Sequence, residues 1–275
     1  MAKIATFYDH IKDIARQEGM RLMDALGTAR ELGVEALEIS QNNLIGREDE
    51  VGQELASYDM GISSIPSYFN FGRDRDVKRQ ALPTLEAAQY LGAKRLLVIP
   101  GFLDLSDSPE ERENQTQAMV EGVAQLAELA APYGVALAME EYDDPKAPFC
   151  NTAGVERFLE ACPELGCCFD SGNFLPAGED VLQALGRLQD RVTHVHLKDR
   201  AFAPTFAQNG AAAQDGRLLY PAPVGQGDLP LGEVVSRLRQ GGYQGTYTLE
   251  FYGSPRTLEF LQDSVAWLTG ELEAW

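Results

Sequence analysis

Apolar positions along the chain keep switching between a period of two and a period near 3.6. Short apolar or alternating runs at 3–7, 34–39 (VEALEI), 61–65, 94–99 (KRLLVI), 135–140, 166–170, 192–198 and 246–250 read as strands. Between them lie stretches with helical spacing. Residues 20–32 place Leu22, Ala25, Leu26 and Ala29 on one face, and Gly33 closes the run. Further helices are expected at 47–58, 74–91, from Ser108-Pro109 to about 132, and at 151–161, 179–188, Leu231–Gln240 and 254–268. Strict strand–helix alternation implies a parallel sheet. Eight such units predict an α/β fold of one domain over 1–275, a (β/α)8 TIM barrel. A doubly wound open sheet would need a glycine-rich phosphate loop after an early strand, and the sequence has none.

In such a barrel, chemistry gathers where the strands end at the C-terminal rim. Alternation then sorts the last four strands into two faces. Ala136, Ala138 and Glu140 face the axis, and Glu141 faces outward. Gly166, Cys168 and Asp170 face inward on the sixth strand, and His194, His196 and Lys198 on the seventh. Thr246, Thr248 and Glu250 do so on the eighth. Four successive strands therefore finish their inward faces with Glu, Asp, His and Glu. The gap between the seventh and eighth strands is the widest. Its residues 200–228 read as an irregular loop, a candidate lid in which Phe202, Phe206, Arg217 and Tyr220 would cover a substrate and Gly225 and Gly227 would hinge.

Composition narrows the chemistry. Apolar content of 44% and charged content of 24% are ordinary for a globular chain, but the net charge of −19 is not. It disfavours a nucleic-acid partner, and no basic run offsets it. No segment is long and apolar enough for a membrane span, and the first residues lack the apolar core of a signal peptide. The four cysteines lack paired metal spacing and read as reduced thiols, so a cytoplasmic protein is expected, with its oligomeric state open.

Three carboxylates and an imidazole converging at one rim would repel and raise one another's pKa values unless a cation sits among them. That donor set suits a fairly hard divalent ion. Mn²⁺ is the first expectation, with Mg²⁺, Co²⁺ and Zn²⁺ also compatible.

Five segments carry a resemblance: LGVEALEIS (32–40), ALAMEEYDD (136–144), CFDSGNF (168–174), HVHLKD (194–199) and YTLEFYG (247–253). Over essentially its whole length the chain resembles the sugar phosphate isomerase/epimerase family with the xylose-isomerase-like barrel. The resemblance implies metal ligands at Glu140, Asp170, His196 and Glu250. It also implies Glu140 and Glu250 as catalytic groups, passing a proton through an enediolate of a small carbohydrate. Several members carry His where this chain has Asn173, which can still donate to a sugar oxygen but cannot carry a proton charge. Glu38, Lys198 and His10 are further candidates for substrate contact. Glu38 reads equally as a buried salt-bridge partner, Lys198 as a structural pair, and His10 as a solvated loop residue just past the first strand. A dehydratase of the inosose or dehydroshikimate kind is the alternative enzyme on the same site. An abasic-site endonuclease, which would need a histidine-rich cluster, and a non-catalytic carbohydrate-binding barrel are the other classes considered.

Overall fold

The structure, a computed structural model, describes residues 3–274. Its elements run β1 (Ile4–Phe7), α1 (Tyr8–Glu18), α2 (Leu22–Leu32), β2 (Ala36–Glu38), α3 (Gln41–Leu44), α4 (Glu48–Ala56), β3 (Gly61–Tyr68), α5 (Val77–Leu91) and β4 (Arg95–Ile99). They continue through α6 (Pro109–Ala130), β5 (Ala136–Met139), α7 (Thr152–Ala161), β6 (Leu165–Asp170), α8 (Val181–Leu188) and β7 (Val192–Ala201). After the short strands β8 (Ala211–Ala212) and β9 (Leu218–Ala222) come α9 (Leu231–Gln240), β10 (Tyr247–Glu250) and α10 (Thr257–Glu273). β1 to β7 pair in order and in parallel, and β10 pairs with both β1 and β7. That double pairing closes the barrel and excludes the open sheet.

Local chemistry explains several boundaries. α6 opens with a capping box: Ser108 Oγ accepts the Glu111 N–H, Glu111 Oε2 accepts the Ser108 N–H, and Pro109 follows the cap. The principal core fills the layer between barrel and helices. Leu37, Leu137, Phe169, Val195, Leu197 and Leu249 are all buried there.

Two stretches differ from the sequence expectation. α1 was not foreseen, because the chain passes from β1 into the helix with no break and no capping side chain at Phe7. Its buried face, Tyr8, Ile11 and Ile14, is nonetheless at helical spacing. The second difference is 200–228, which is a strap rather than an irregular lid. β7 runs on to Ala201 and pairs antiparallel with β9, and β9 pairs antiparallel with β8. Asp199 anchors the return of the chain. Its carboxylate accepts the N–H groups of Arg200 (2.8 Å), Gly225 (2.9 Å), Gly227 (2.9 Å) and Leu229 (3.3 Å). A Cβ at Gly227 would lie 2.3 Å from Asp199 Oδ1, so glycine is required by close approach, and the expected hinge is a tie point. The side chains expected to cover a substrate are engaged elsewhere. Tyr220 is buried with Ala201 and Ala222, Phe206 packs on Phe260, and Arg217 lies over the Phe202 ring.

Replacing Asp199 by Ala strips four backbone donors of their acceptor. The expected cost is about 2 kcal/mol or more, a fall of several degrees in Tm, with new protease cutting within 201–228. A melt and a digestion pattern identical to the parent would show that the anchor is dispensable.

Candidate metal centre and its cavity

The inward faces of β5, β6, β7 and β10 meet as alternation predicts. The register puts Asp170 and Thr248 directly beside His196, one on each flanking strand. Glu140 follows the last residue of β5. One donor atom from each of Glu140, Asp170, His196 and Glu250 lies within 4.8 Å of the other three. His196 Nδ1 is 2.9 Å from Glu140 Oε2, 3.2 Å from Glu250 Oε2 and 3.9 Å from Asp170 Oδ2. Yet Nδ1, Glu140 Oε2 and Asp170 Oδ2 are all buried without an aligned hydrogen-bond partner. Buried polar atoms left in this way are uncommon, and these three face one centre.

The chain builds that centre from behind. Asp170 Oδ1 accepts the Gly172 N–H at 2.7 Å, which leaves Oδ2 for the cluster. Gly172 must be glycine, since a Cβ there would sit 2.6 Å from Lys198 Cγ. Deeper in the barrel, Glu38 Oε1 is 2.9 Å from His196 Nε2, accepts the Thr248 hydroxyl at 2.8 Å, and makes a short contact with His194 Nε2. Burial works against a charged His196, but Cys168, Glu38 and Glu140 raise its pKa well above the ordinary value. A bound cation would displace that proton, and with Nε2–H toward Glu38 the neutral ring would give Nδ1 to the cluster. Burial would raise the Glu38 pKa, but the two imidazoles outweigh it and hold the carboxyl well below the usual range.

Above the centre, Lys198 Nζ is 2.5 Å from Glu250 Oε1, 2.7 Å from Asn173 Oδ1 and 3.4 Å from Asp170 Oδ2. The Asn173 amide donates to the Glu141 carbonyl at 3.1 Å, so both its ends are engaged. Burial pushes the Asp170 and Glu140 carboxyls upward, with nearby carboxylates adding to the shift against the opposing pull of Lys198 and His196. Glu250 goes the other way. Burial opposes its charge, but Lys198 and His196 prevail. A divalent cation satisfies the three orphaned atoms and removes the carboxylate repulsion, so the donor set fits such an ion.

A cavity of about 670 Å³ opens above this cluster, with Glu140, Asn173, Lys198 and Glu250 at its base. Two sequence candidates sit elsewhere. Glu38 is only 1% exposed and lies beneath His196 rather than on the cavity wall. His10 is on α1, not in a solvated loop, and is 1% exposed. Its ring stacks on Phe251 (4.3 Å), and Nε2 accepts the Phe251 N–H at 3.1 Å. Burial pushes its pKa down to about 4, so the ring is neutral and has the lone pair that this bond needs.

Other cavity residues escaped the sequence reading. Tyr142 and Asp143 lie just past the end of β5, Arg200 lies within β7 on the parity of His196 and Lys198, and Tyr68 and Tyr252 line the cavity beside them. Inward parity carries on from Pro66 to Tyr68, from Glu140 to Tyr142, from Lys198 to Arg200 and from Glu250 to Tyr252, and is the signal that points to them; Asp143 has no such signal. Glu141, expected to face outward, is fully buried. Neither of its carboxylate oxygens has a hydrogen-bond partner, and burial pushes its pKa well up.

Residues 26–270 match the family described as Xylose isomerase-like TIM barrel. Among curated proteins, the chain is similar to an inosose dehydratase of Lacticaseibacillus casei, 23% identical over 182 residues. That match covers 60% of this chain and 59% of the relative. Among solved structures, a D-tagatose 3-epimerase-like protein superposes with a TM-score of 0.76 at 16% identity, covering 99% of this chain and 97% of the other. The IOLI protein with a bound zinc atom gives a TM-score of 0.75 at 16% identity, covering 99% of both chains. At such identities the structural likenesses establish the fold alone. The family match spans nearly the whole chain, and the protein belongs to the xylose isomerase-like TIM barrel family.

Proposed function

We propose that this protein is a divalent-metal-dependent isomerase or epimerase that moves a proton at a carbon beside the carbonyl of a sugar-like polyol. The observation that carries this reading is the set of buried, unpartnered donor atoms on Glu140, Asp170 and His196, with Glu250 beside them at the floor of an open cavity. Glu140, Asp170, His196 and Glu250 would hold the ion. Three carboxylates and one nitrogen favour Mn²⁺ as the first choice, and Zn²⁺ is the next, since the similar IOLI structure contains it. Once bound, such an ion polarises a substrate's carbonyl and hydroxyl oxygens.

The remaining work falls to the chain itself. Glu140 and Glu250 reach the cavity from strands separated by β6 and β7, so they can address a substrate carbon from two sides. One carboxylate takes the proton and the other returns one, passing through an enediolate. Lys198, fixed by Asn173 and Glu250, supplies a positive charge for the oxyanion that forms. Glu38 and His10 act behind the surface: Glu38 aims His196, and His10 holds the exit of β10 beyond Glu250. The small-molecule class follows the family, and nothing in the charge pattern supports a nucleic acid.

A second reading is dehydration, favoured by the similarity to an inosose dehydratase. It begins with the same proton abstraction and then expels a β-hydroxyl. A sugar-like ketone in D₂O separates the two outcomes. Isomerase or epimerase turnover places solvent deuterium at the enolised carbon with no loss of water, whereas elimination yields an absorbing enone. Turnover with neither would sink both readings.

Stripping the metal with a chelator should abolish turnover and lower Tm, and Mn²⁺ should restore both. Because metal-free Asp170 and Glu140 carry raised pKa values, uptake releases protons and affinity falls as the medium is acidified. Calorimetry in buffers of differing ionisation heat reads that release. Undiminished activity in metal-free protein would refute the metal reading.

Glu140→Gln or Glu250→Gln should slow turnover by roughly 10²-fold or more, the scale of a lost general base. Glu38→Gln should leave the fold intact by circular dichroism but weaken metal binding about 10–100-fold, the usual effect of losing a ligand's outer partner. Unchanged metal affinity in that variant would return Glu38 to a purely structural role.

A further inference from the structure

We propose that the cavity is selective for an uncharged polyol carbonyl compound, with Asp143 as the selectivity residue that keeps its cations from meeting a phosphate or carboxylate. This rests on the proton-transfer reading above and adds the charge class of the substrate to it. Among the described residues lining the cavity, the cations are Lys198 and Arg200. Lys198 is held by Glu250 and Asn173, with Asp170 at 3.4 Å and Asp143 Oδ2 at 4.0 Å. Arg200 Nη2 donates to Asp143 Oδ2 at 3.1 Å, while its Nε is buried and so turned away from the open space. Lys12, which contacts the cavity-lining Asp9, also donates to Asn43. Each cation lining the cavity among the described residues thus already faces a carboxylate, which an anionic substrate would have to displace.

The backbone of the loop after β7 points the same way. In barrels of this type, a phosphate is frequently held by the loops after the last two strands. Here the donors in the loop after β7, the N–H groups of Gly225, Gly227 and Leu229, are already capped by the Asp199 carboxylate. The cavity offers an uncharged ligand what it withholds from an anion. Ser40 and Asn42 present neutral polar groups, and Tyr68, Tyr142 and Tyr252 present ring faces for the C–H side of a sugar or cyclitol.

The test uses Mn²⁺-loaded full-length protein and matched pairs of probes: D-fructose against fructose 6-phosphate, and myo-inositol against myo-inositol 1-phosphate, with binding read by calorimetry. The uncharged member of each pair is expected to bind about tenfold tighter or better. In Asp143→Asn, Arg200 loses its partner, and the phosphate esters should gain severalfold while the affinity for Mn²⁺ stays the same. Esters that bind the parent as well as their neutral partners would overturn the proposal, as would an unchanged ratio in Asp143→Asn. Because binding is read without turnover, the two readings fail separately. Neutral preference without deuterium exchange at fructose condemns the proton-transfer reading alone, and exchange with an ester preference condemns charge selection alone.

Discussion

A carboxylate deep in a barrel is costly unless its charge is met on the spot, and Glu38 meets its own with two imidazoles and a hydroxyl. This buried contact sets the rest of the site. It gives His196 a reason to keep one ring nitrogen pointed down and thereby frees the other for the ligand cluster. It also explains a histidine pair on alternate residues of β7, since His194 balances Glu38 from below while His196 joins it to the rim. Cutting one member of such a network leaves the others buried and uncompensated, which is more disruptive than never having built it.

The upper half of the site has the opposite character. Glu140, Asp170 and Glu250 converge with too little positive charge among them, and the metal-free protein responds by holding Asp170 and Glu140 toward their protonated forms. Lys198 relieves part of the strain at Glu250 but cannot reach the whole cluster. A layer in which Glu38 Oε1 is met by two imidazoles and a hydroxyl, although Oε2 has no hydrogen-bond partner, thus supports a layer with three orphaned donor atoms, and the second is where a cation fits. Local conflict of this kind is expected where function overrides stability.

How much of this was legible depended on whether period two still governed the residue in question. Glu140, Asp170, His196, Lys198 and Glu250 belong to strands, or directly follow one, with apolar outward neighbours, so their direction followed from alternation alone. Glu38 was correctly placed inward, but whether it met substrate or histidine depended on β7 and β10, which lie far from it in sequence. His10 reads as a loop residue because α1 begins without a cap, and its burial comes from Phe251 at the other end of the chain. The strap was hidden for a related reason. Its order comes from an antiparallel extension of β7 and from one carboxylate, Asp199, gathering backbone donors that carry no side-chain signature. Among the rim residues, Tyr68 lies within β3 and Tyr252 carries on the parity of Glu250, so alternation points to both, whereas Asp143 falls off the alternation that Glu140 and Tyr142 share.

The choice between proton return and elimination turns on which group can give up a proton, and here Lys198 is informative. Burial alone would make its ammonium easier to deprotonate, but Asp170 and Glu250 outweigh burial and hold the proton more tightly than usual. A lysine held in this state is a weak acid toward a departing hydroxyl and a strong electrostatic partner for an oxyanion that stays in place. Elimination would then have to draw its proton from a carboxyl that is also needed as a metal ligand. Reprotonation of an enediolate at carbon makes the same demand, because Glu140 and Glu250 both belong to the proposed ligand set. The charge arrangement around Lys198 therefore suits it to holding an oxyanion in place rather than to protonating a departing hydroxyl, whichever of the two reactions follows proton abstraction.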